Sequence, residues 1–462
     1  MRKIWDIVIV GGGASGLAAA VAAVRSGADV LVIEKNHVPG RKILSTGAGK
    51  CNFTNEQVSA ADYNAAAADF LKEVFSILPP YEIIKFFENL GLLWTKGEKG
   101  KIFPRSMKAQ DVADVLAKSA VRNGAEISLL TQVYSVSKNI NSKDRNGIFC
   151  IEAGKVPPQW EKKQNIRECA GKNKEKIYAR RIIMSAGSPC CSRIGGSSAG
   201  YSLLEKIGHS CTEIFPVITP LAVKEKYIKD IDGVRTEGSV VFKYSGPEYK
   251  DIGSIAASSG EIIFARGFLS GPPVIDCARR VQDAMRKGPV NAEIDFYPDY
   301  SMEAFSAMIE KRRQNFLNVS AEKKGISAVL FRDFAAGLHN EKIIMLAASL
   351  AGIETDAPLN SVRTGSFGRF GQILKNFTLS ISGPAGFDDA AAAAGGINLD
   401  EVNPRTFESH IVPGLYITGE ILNVDGRSGG FNLHFAWTSG IIAARAAAAG
   451  LADMASDDRN IA

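Results

Sequence analysis

No C-x-x-C pair occurs among the seven cysteines of this 462-residue chain, and their odd number follows no regular spacing. A disulfide framework and a thioredoxin-like redox motif are thereby excluded, reduced thiols in a cytoplasm are implied, and no metal site is expected. Adjacent Cys190 and Cys191 are read as small loop residues rather than a redox couple, because neighbouring cysteines close only a strained ring. Long apolar runs are missing too. The longest small-apolar stretch, 441–455, is interrupted by Arg445 and Asp453 and falls short of the roughly 20 residues a bilayer needs, so no membrane span is expected. After Arg2 and Lys3 the first apolar run meets glycines within a few residues and has no cleavage site, which excludes a signal peptide. The excess of positive charge is small, at +6. Its densest stretch, Lys162 to Arg181, also carries glutamates and has no interleaved aromatic platform. That stretch is read as a solvated hairpin or loop, and no stable nucleic-acid partner is expected.

What is present begins almost at the first residue. In "DIVIVGGGASGLAAAVAAVRSGADVLVIEK", residues 6–35, Ile7 to Val10 read as a buried parallel strand. Gly11, Gly13 and Gly16 follow at G-x-G-x-x-G spacing, and Leu17 to Arg25 continue at helical period. Gly11 permits the tight turn, Gly13 lets the backbone approach a pyrophosphate, and Gly16 lets helix and strand pack closely. The helix N-terminus offers free N–H groups and partial positive charge, so phosphate belongs at Ala14 and Ser15. A second strand, Asp29 to Ile33, leads to Glu34 and Lys35. Glu34 stands 18 residues beyond Gly16, where a carboxylate can accept hydrogen bonds from both hydroxyls of an adenosine ribose. FAD or NAD is expected there, and NADP is not.

The length exceeds one core, and a composition 45% apolar and 23% charged is that of an ordinary soluble chain. Alternating strand and helix signals run over 1–195. Short alternating runs such as "GSVVFKY" and "GEIIFAR" then suggest a small antiparallel barrel over 196–297 and 353–385. Helical periodicity without strand signals marks a helical insert over 298–352, and 386–462 resembles the first domain again. The fold class expected is α/β: a discontinuous Rossmann-like domain carrying an inserted barrel and a small helical subdomain.

Dinucleotide domains that hold FAD need a second, distant contact, because the flavin end extends far beyond the first glycine turn. "GLYITGEILNVDGRSGGFNLHFAWTSG", residues 414–440, supplies a candidate: strand Leu415 to Thr418, a turn with Gly419 and Glu420, then Gly429 and Gly430 before a helix near Phe431. Glu420 would meet the ribityl or pyrophosphate region. The helix end at Gly430, Phe431 and Asn432 would face the pyrimidine edge of the isoalloxazine, where negative charge gathers on reduction.

Four motifs carry a resemblance: "GRKILSTGAGKCNFTN" at 40–55, "KIFPRSMKAQDV" at 101–112, "FLSGPPVI" at 268–275, and the whole stretch 401–440. In these the chain resembles, over nearly its full length, the bacterial FAD-dependent oxidoreductases named for aminoacetone oxidase and bile-acid ene reductase, the BaiN-type flavoproteins. The resemblance implies noncovalent FAD in a three-part molecule. It implies that Arg41 and Lys42 lie near the FAD phosphates or ribityl chain, solvent-facing charges being the alternative. It further implies that Gly47, Gly49, Cys51 and Asn52 wrap the flavin, that Val133 meets the adenine through its backbone, and that Ala186, Gly187 and Asp425 complete the cofactor set. Cys51 has no second cysteine at motif spacing and is read as packing rather than a redox partner. The activity implied is reduction of a conjugated C=C bond in a small hydrophobic carbonyl substrate. With no second strand–GxGxxG–helix unit visible, NAD(P)H would dock transiently. An amine or amino-ketone oxidase and a nucleic-acid-associated flavoprotein are the alternatives. No catalytic residue is assigned, and His434, Tyr201 and solvent are candidate proton donors. Ala199 and Ala393 depart from the family pattern at positions expected to border the substrate.

Overall fold

Uninterrupted Val/Ile runs belong where both faces of a strand are covered. β1 (Ile4–Val10) and β2 (Val30–Ile33) show this: Ile7, Val8, Ile9, Val30 and Val32 are fully buried. The structure, a computed structural model, describes residues 3–138, 147–157, 174–249, 252–322 and 329–460. It divides into two compact units, Met1–Pro216 with Phe387–Ala462, and Val217–Gly386.

The first unit is built on a seven-stranded sheet. Across it run Glu126–Ser128, β2, β1, Lys174–Met184, Phe149–Lys155 and Thr131–Lys138, with Leu415–Ile417 pairing the far end of Lys174–Met184. Val10 pairs with both Ile33 and Met184, and Met184 with Ile417, so four parallel strands end level. Ligands of open parallel sheets bind beyond such carboxyl ends. Helix α1 (Ala14–Arg25) packs against the C-terminal helix Phe431–Asn460. The crossing is tight because the faces are small: Ala18, Ala19, Ala20, Ala443, Ala444 and Ala447 are all fully buried. A short sheet of Thr54–Asn55, Lys101–Pro104 and Trp94–Lys96 holds the segment after Asn52, and the Trp437 indole N–H donates to Phe53 O at 2.9 Å.

The second unit closes six strands into an antiparallel barrel, in the order Leu221–Val223, Phe268–Ser270, Ala256–Ala265, Arg235–Tyr244, Val290–Asp295 and Phe377–Pro384. Helices Met302–Glu322, Phe331–Ala335 and Glu341–Leu350 share its core through Phe305, Phe331 and Phe334. Two further helices, Pro272–Met285 and Thr364–Lys375, stand where the sequence suggests only barrel. In the first, Gly-Pro-Pro reads as a turn but starts a helix, since proline at the opening positions loses no bonded N–H.

Of the basic stretch at 162–181, residues 162–173 lie outside the described residues, and the rest lies in strand Lys174–Met184, which pairs antiparallel with Phe149–Lys155. Arg181 there is buried and donates to Gly450 O at 3.4 Å. Among the described residues no helix is long and apolar enough to cross a membrane.

Candidate cofactor and active site

Gly11 takes φ +103 and donates its N–H to Ile33 O at 2.9 Å, turning the chain from β1 into α1. A Cβ on Gly16 would collide with Gly11 O, the close packing expected of the third glycine. Gly13 is the N-cap of α1 and supplies no side chain; the first turn holds no acid, and nothing lies within 4 Å of where a Gly13 Cβ would stand. A helix end with unanswered N–H groups and open space before it suits an anion. Ser15 is buried, and its hydroxyl donates to Thr418 Oγ1 at 2.6 Å, which pairs in turn with Ser185 Oγ at 2.8 Å. What Ser15 and Ala14 can offer a phosphate is therefore backbone N–H.

Glu34, only 6% exposed, ends β2 with its carboxylate fixed from three sides. Gly12 N–H donates to Oε2 at 2.7 Å, and Asn36 donates its N–H and its amide Nδ2 to Oε1, both at 2.7 Å. Lys35 beside it has its pKa lowered by burial, with Glu34 opposing the shift. Val133 lies in strand Thr131–Lys138, whose start is tied to the same turn by Thr131 N–H to Glu34 O at 3.0 Å. Ala186 and Gly187, the latter at φ +70, follow the end of Lys174–Met184 and are half-buried.

Gly419, at φ +77, reaches the α1 turn: a Cβ there would lie 2.8 Å from Ser15 Cβ. The next residue, Glu420, pairs with Lys42 Nζ at 2.5 Å and accepts from Ala393 N–H at 3.1 Å. Burial alone would lower the Lys42 pKa, but the Glu420 carboxylate overcomes it and raises it. Lys42 is thus half-buried and carboxylate-paired rather than solvent-facing, while Arg41 is half-exposed. Ala393 is 1% exposed and meets Glu420 through its backbone, so its side chain borders no open face. Cys190 is buried near this pair, and burial, with help from Glu420, pushes its thiol up to about 12.

Gly47, Ala48 and Gly49 form an exposed left-handed run at φ +55, +54 and +83. Cys51 is fully buried with its thiol pushed up to about 12 by burial, as a packing residue would be. Asn52 turns inward, and its Oδ1 accepts from Ile102 N–H at 3.1 Å. Asp425 is buried, exchanging backbone contacts with Asn64. The C-terminal helix opens at Phe431, whose ring is buried. Asn432 closes its side chain on Gly426 from both ends, Oδ1 accepting from Gly426 N–H at 2.9 Å and Nδ2 donating to Gly426 O at 2.8 Å. Gly430 has a role the sequence did not reveal. A Cβ there would stand 2.6 Å from Thr54 O, so strand Thr54–Asn55, not an open cleft, occupies that side. Of the proton-donor candidates, the two side chains are both buried. His434 is fully buried, its Nδ1 bonded to Thr54 Oγ1 at 2.7 Å and its pKa lowered to about 3 by burial. Tyr201 is 3% exposed and donates to Glu420 O at 3.3 Å, with its pKa raised by burial.

Asn36, Ser185 and Thr418 were not singled out from sequence. The available signal was an amide two residues after Glu34 and a hydroxyl residue just past the end of each of two strands.

This strand–glycine turn–helix, with a distant segment folded onto its helix end, defines a Rossmann-type dinucleotide-binding fold. The chain belongs to the HI0933-like family, whose Rossmann-domain profile matches residues 5–446. It is 31% identical over 445 residues to the 3-dehydro-bile acid delta(4,6)-reductase of Clostridium scindens, covering 96% of this chain and 98% of that one. It is 24% identical over 438 residues to the ribosomal RNA dihydrouridine synthase of Escherichia coli, covering 94% and 96%. Among solved structures, the 3-ketosteroid delta1-dehydrogenase of Sterolibacterium denitrificans shares the fold with a TM-score of 0.51 at 13% identity, covering 97% of this chain and 100% of that one.

Proposed function

We propose that the chain holds FAD noncovalently beyond its parallel strand ends and reduces a C=C bond conjugated to a carbonyl in a hydrophobic, steroid- or bile-acid-like substrate. The observation that carries this reading is the similarity to the bile acid reductase along nearly the full length of both chains. FAD held there would supply hydride chemistry for the β-carbon, with NAD(P)H as the reductant. The chain's own residues bind and orient. The uncapped end of α1 would take the pyrophosphate and Glu34 a ribose hydroxyl, while the N–H groups opening the helix at Phe431 would answer the negative charge of the reduced ring. Lys42, held protonated by Glu420, is a fixed cation for phosphate or ribityl oxygens, and 47–52 wraps the ring. With Tyr201 and His434 buried and engaged, the α-carbon proton comes from solvent.

A second reading keeps the chemistry and changes the acceptor. The C5–C6 bond of uracil is also conjugated to a carbonyl, and similarity to two ribosomal RNA dihydrouridine synthases favours it. One anaerobic experiment separates the readings: bleach the FAD-loaded protein with NADH or NADPH, then add candidate acceptors. Rapid reoxidation by a 3-keto-4-ene steroid supports the first reading. Reoxidation by unmodified ribosomal RNA alone, with dihydrouridine formed, overturns it for the second. Resistance to both nicotinamides, with peroxide formed from an amine substrate in air, overturns both for an oxidase.

A further inference from the structure

A buried amide carbonyl without a hydrogen bond is costly and invites an account of what it secures. Asn36 Oδ1 is such an atom: the residue is 8% exposed and Oδ1 has no partner. Turning the amide over would not relieve it, because Oδ1 would then replace Nδ2 at 2.7 Å from Glu34 Oε1, oxygen against carboxylate. The orientation is therefore dictated by the charge of Glu34. The amide occupies the room that glycine leaves at Gly195, at φ +116, where a Cβ would meet both Nδ2 and Oδ1, and the Asn36 main-chain carbonyl is fixed by Leu130 N–H at 3.1 Å.

We propose that Asn36 is the positioning residue of the adenosine-ribose acid, holding Glu34 in the one rotamer that leaves its free lone pair for a ribose hydroxyl; this rests on the FAD reading above. Asn36 gives two of the three donors that fix the carboxylate, both to Oε1, while Gly12 N–H holds Oε2. Two donors on one oxygen and one on the other leave a carboxylate, with about four lone-pair sites, one acceptor position free for a hydroxyl. Asparagine also supplies these donors without charge, so the negative charge that disfavours a 2′-phosphate is kept.

The test titrates the FAD-free protein with FAD and with ADP, following affinity by flavin fluorescence and calorimetry and stability by thermal melting. Asn36→Ala is expected to weaken both ligands about tenfold, the scale of one charge-assisted hydrogen bond. The melting temperature of the ligand-free protein should stay level or rise, since the orphaned carbonyl leaves with the side chain. Asn36→Asp, equal in shape but placing a carboxylate oxygen at Glu34, should lose more than the alanine variant and covers the case in which Asn36→Ala does not fold. In a Glu34→Ala background, Asn36→Ala should add less than a twofold loss. Affinity within twofold of the parent in Asn36→Ala, or a full tenfold loss persisting without Glu34, overturns the proposal. If Glu34→Ala alone leaves FAD affinity unchanged, the FAD reading of this acid fails instead.

Discussion

Replacing Gly430 with alanine probes the point where the C-terminal helix meets the segment after Asn52. Gly430 stands at φ +97, where an L side chain is strained by about 1–3 kcal/mol. Its new Cβ would lie 2.6 Å from Thr54 O, 2.7 Å from Thr54 C and 3.0 Å from Thr54 Cα. None of these atoms can step aside as a side-chain tip would. Thr54 is paired in register with Ile102, and its hydroxyl is bonded to His434 one turn into the same helix. Relief requires moving the helix start or parting the strand, and overpacking of this kind adds about 1–3 kcal/mol. Strain and overpacking together place the cost of Gly430→Ala at about 2–6 kcal/mol. Denaturant unfolding of the FAD-free protein, followed by far-UV circular dichroism, measures it as a fall in midpoint at unchanged slope. The choice of FAD-free protein matters. Had the Cβ met only an isoalloxazine ring, the FAD-free protein would show the backbone strain alone, and the flavin potential would move as well. A loss below about 0.5 kcal/mol in the FAD-free protein would refute the packing account.

Purified protein should be yellow and release intact FAD on acid or heat denaturation; colourless protein that FAD does not reconstitute counts against the cofactor assignment. Glu34→Ala should weaken FAD binding by about 1–3 kcal/mol in a fluorescence titration, the scale of losing charge-assisted hydrogen bonds. Cys51, with its thiol near 12, is about one part in ten thousand thiolate at pH 8, so iodoacetamide should leave it unmodified in the folded protein while peptide mapping finds it alkylated after unfolding. His434 has its folded pKa lowered to about 3, below the ordinary value near 6.5, so the unfolded chain binds the extra proton and stability falls as pH drops below about 6.5. Between pH 7 and pH 5 this histidine should contribute about 2 kcal/mol of that fall; a His434→Gln variant whose stability declines as steeply as the parent's would show that it does not.

The first glycine turn was legible because everything it needs is local. A Val/Ile run, three glycines at fixed spacing and an acid after the next strand specify β1, α1, β2 and Glu34 within 30 residues. The barrel was legible from alternation in "GSVVFKY" and "GEIIFAR", which become neighbouring strands in one register. What stayed hidden depends on contacts between distant segments. Nothing near Gly430 announces Thr54, and nothing near Asn432 shows that its side chain closes on Gly426 rather than facing a ring. His434 stands in the sequence as one candidate proton donor beside the commoner reading of a hydrogen-bonded structural histidine, because a histidine near a glycine turn has no local mark of burial. Its environment is made by Phe75, with rings 5.8 Å apart, and by Thr54. Pro272–Met285 was missed for the opposite reason: the local signal was strong, and Gly-Pro-Pro points equally to a turn and to a helix start.

The discontinuity of the first unit follows from the same geometry. Its strand-end site is assembled from segments that are remote in sequence: Ser15 bonds Thr418, Ser185 bonds Thr418, and Lys42 pairs with Glu420. None of these links can form until the chain returns at Phe387, after all of 217–386 has intervened. If the intervening chain were unstructured, the closure cost would grow only with the logarithm of its length, about 0.6 kcal/mol for each doubling. The insert does better than that, because its barrel strands and helices bury a hydrophobic core of their own, with Phe242, Phe264, Phe331 and Phe370 fully buried. A segment that folds on its own core presents its neighbours with two fixed ends instead of a long flexible loop. The hydroxyl triangle of Ser15, Thr418 and Ser185 then acts as the clasp that brings the returning strand level with β1 and Lys174–Met184. Three mutually bonded hydroxyls buried at the strand ends satisfy one another without charge. The helix end beside them is thereby left to an external anion rather than to a protein carboxylate.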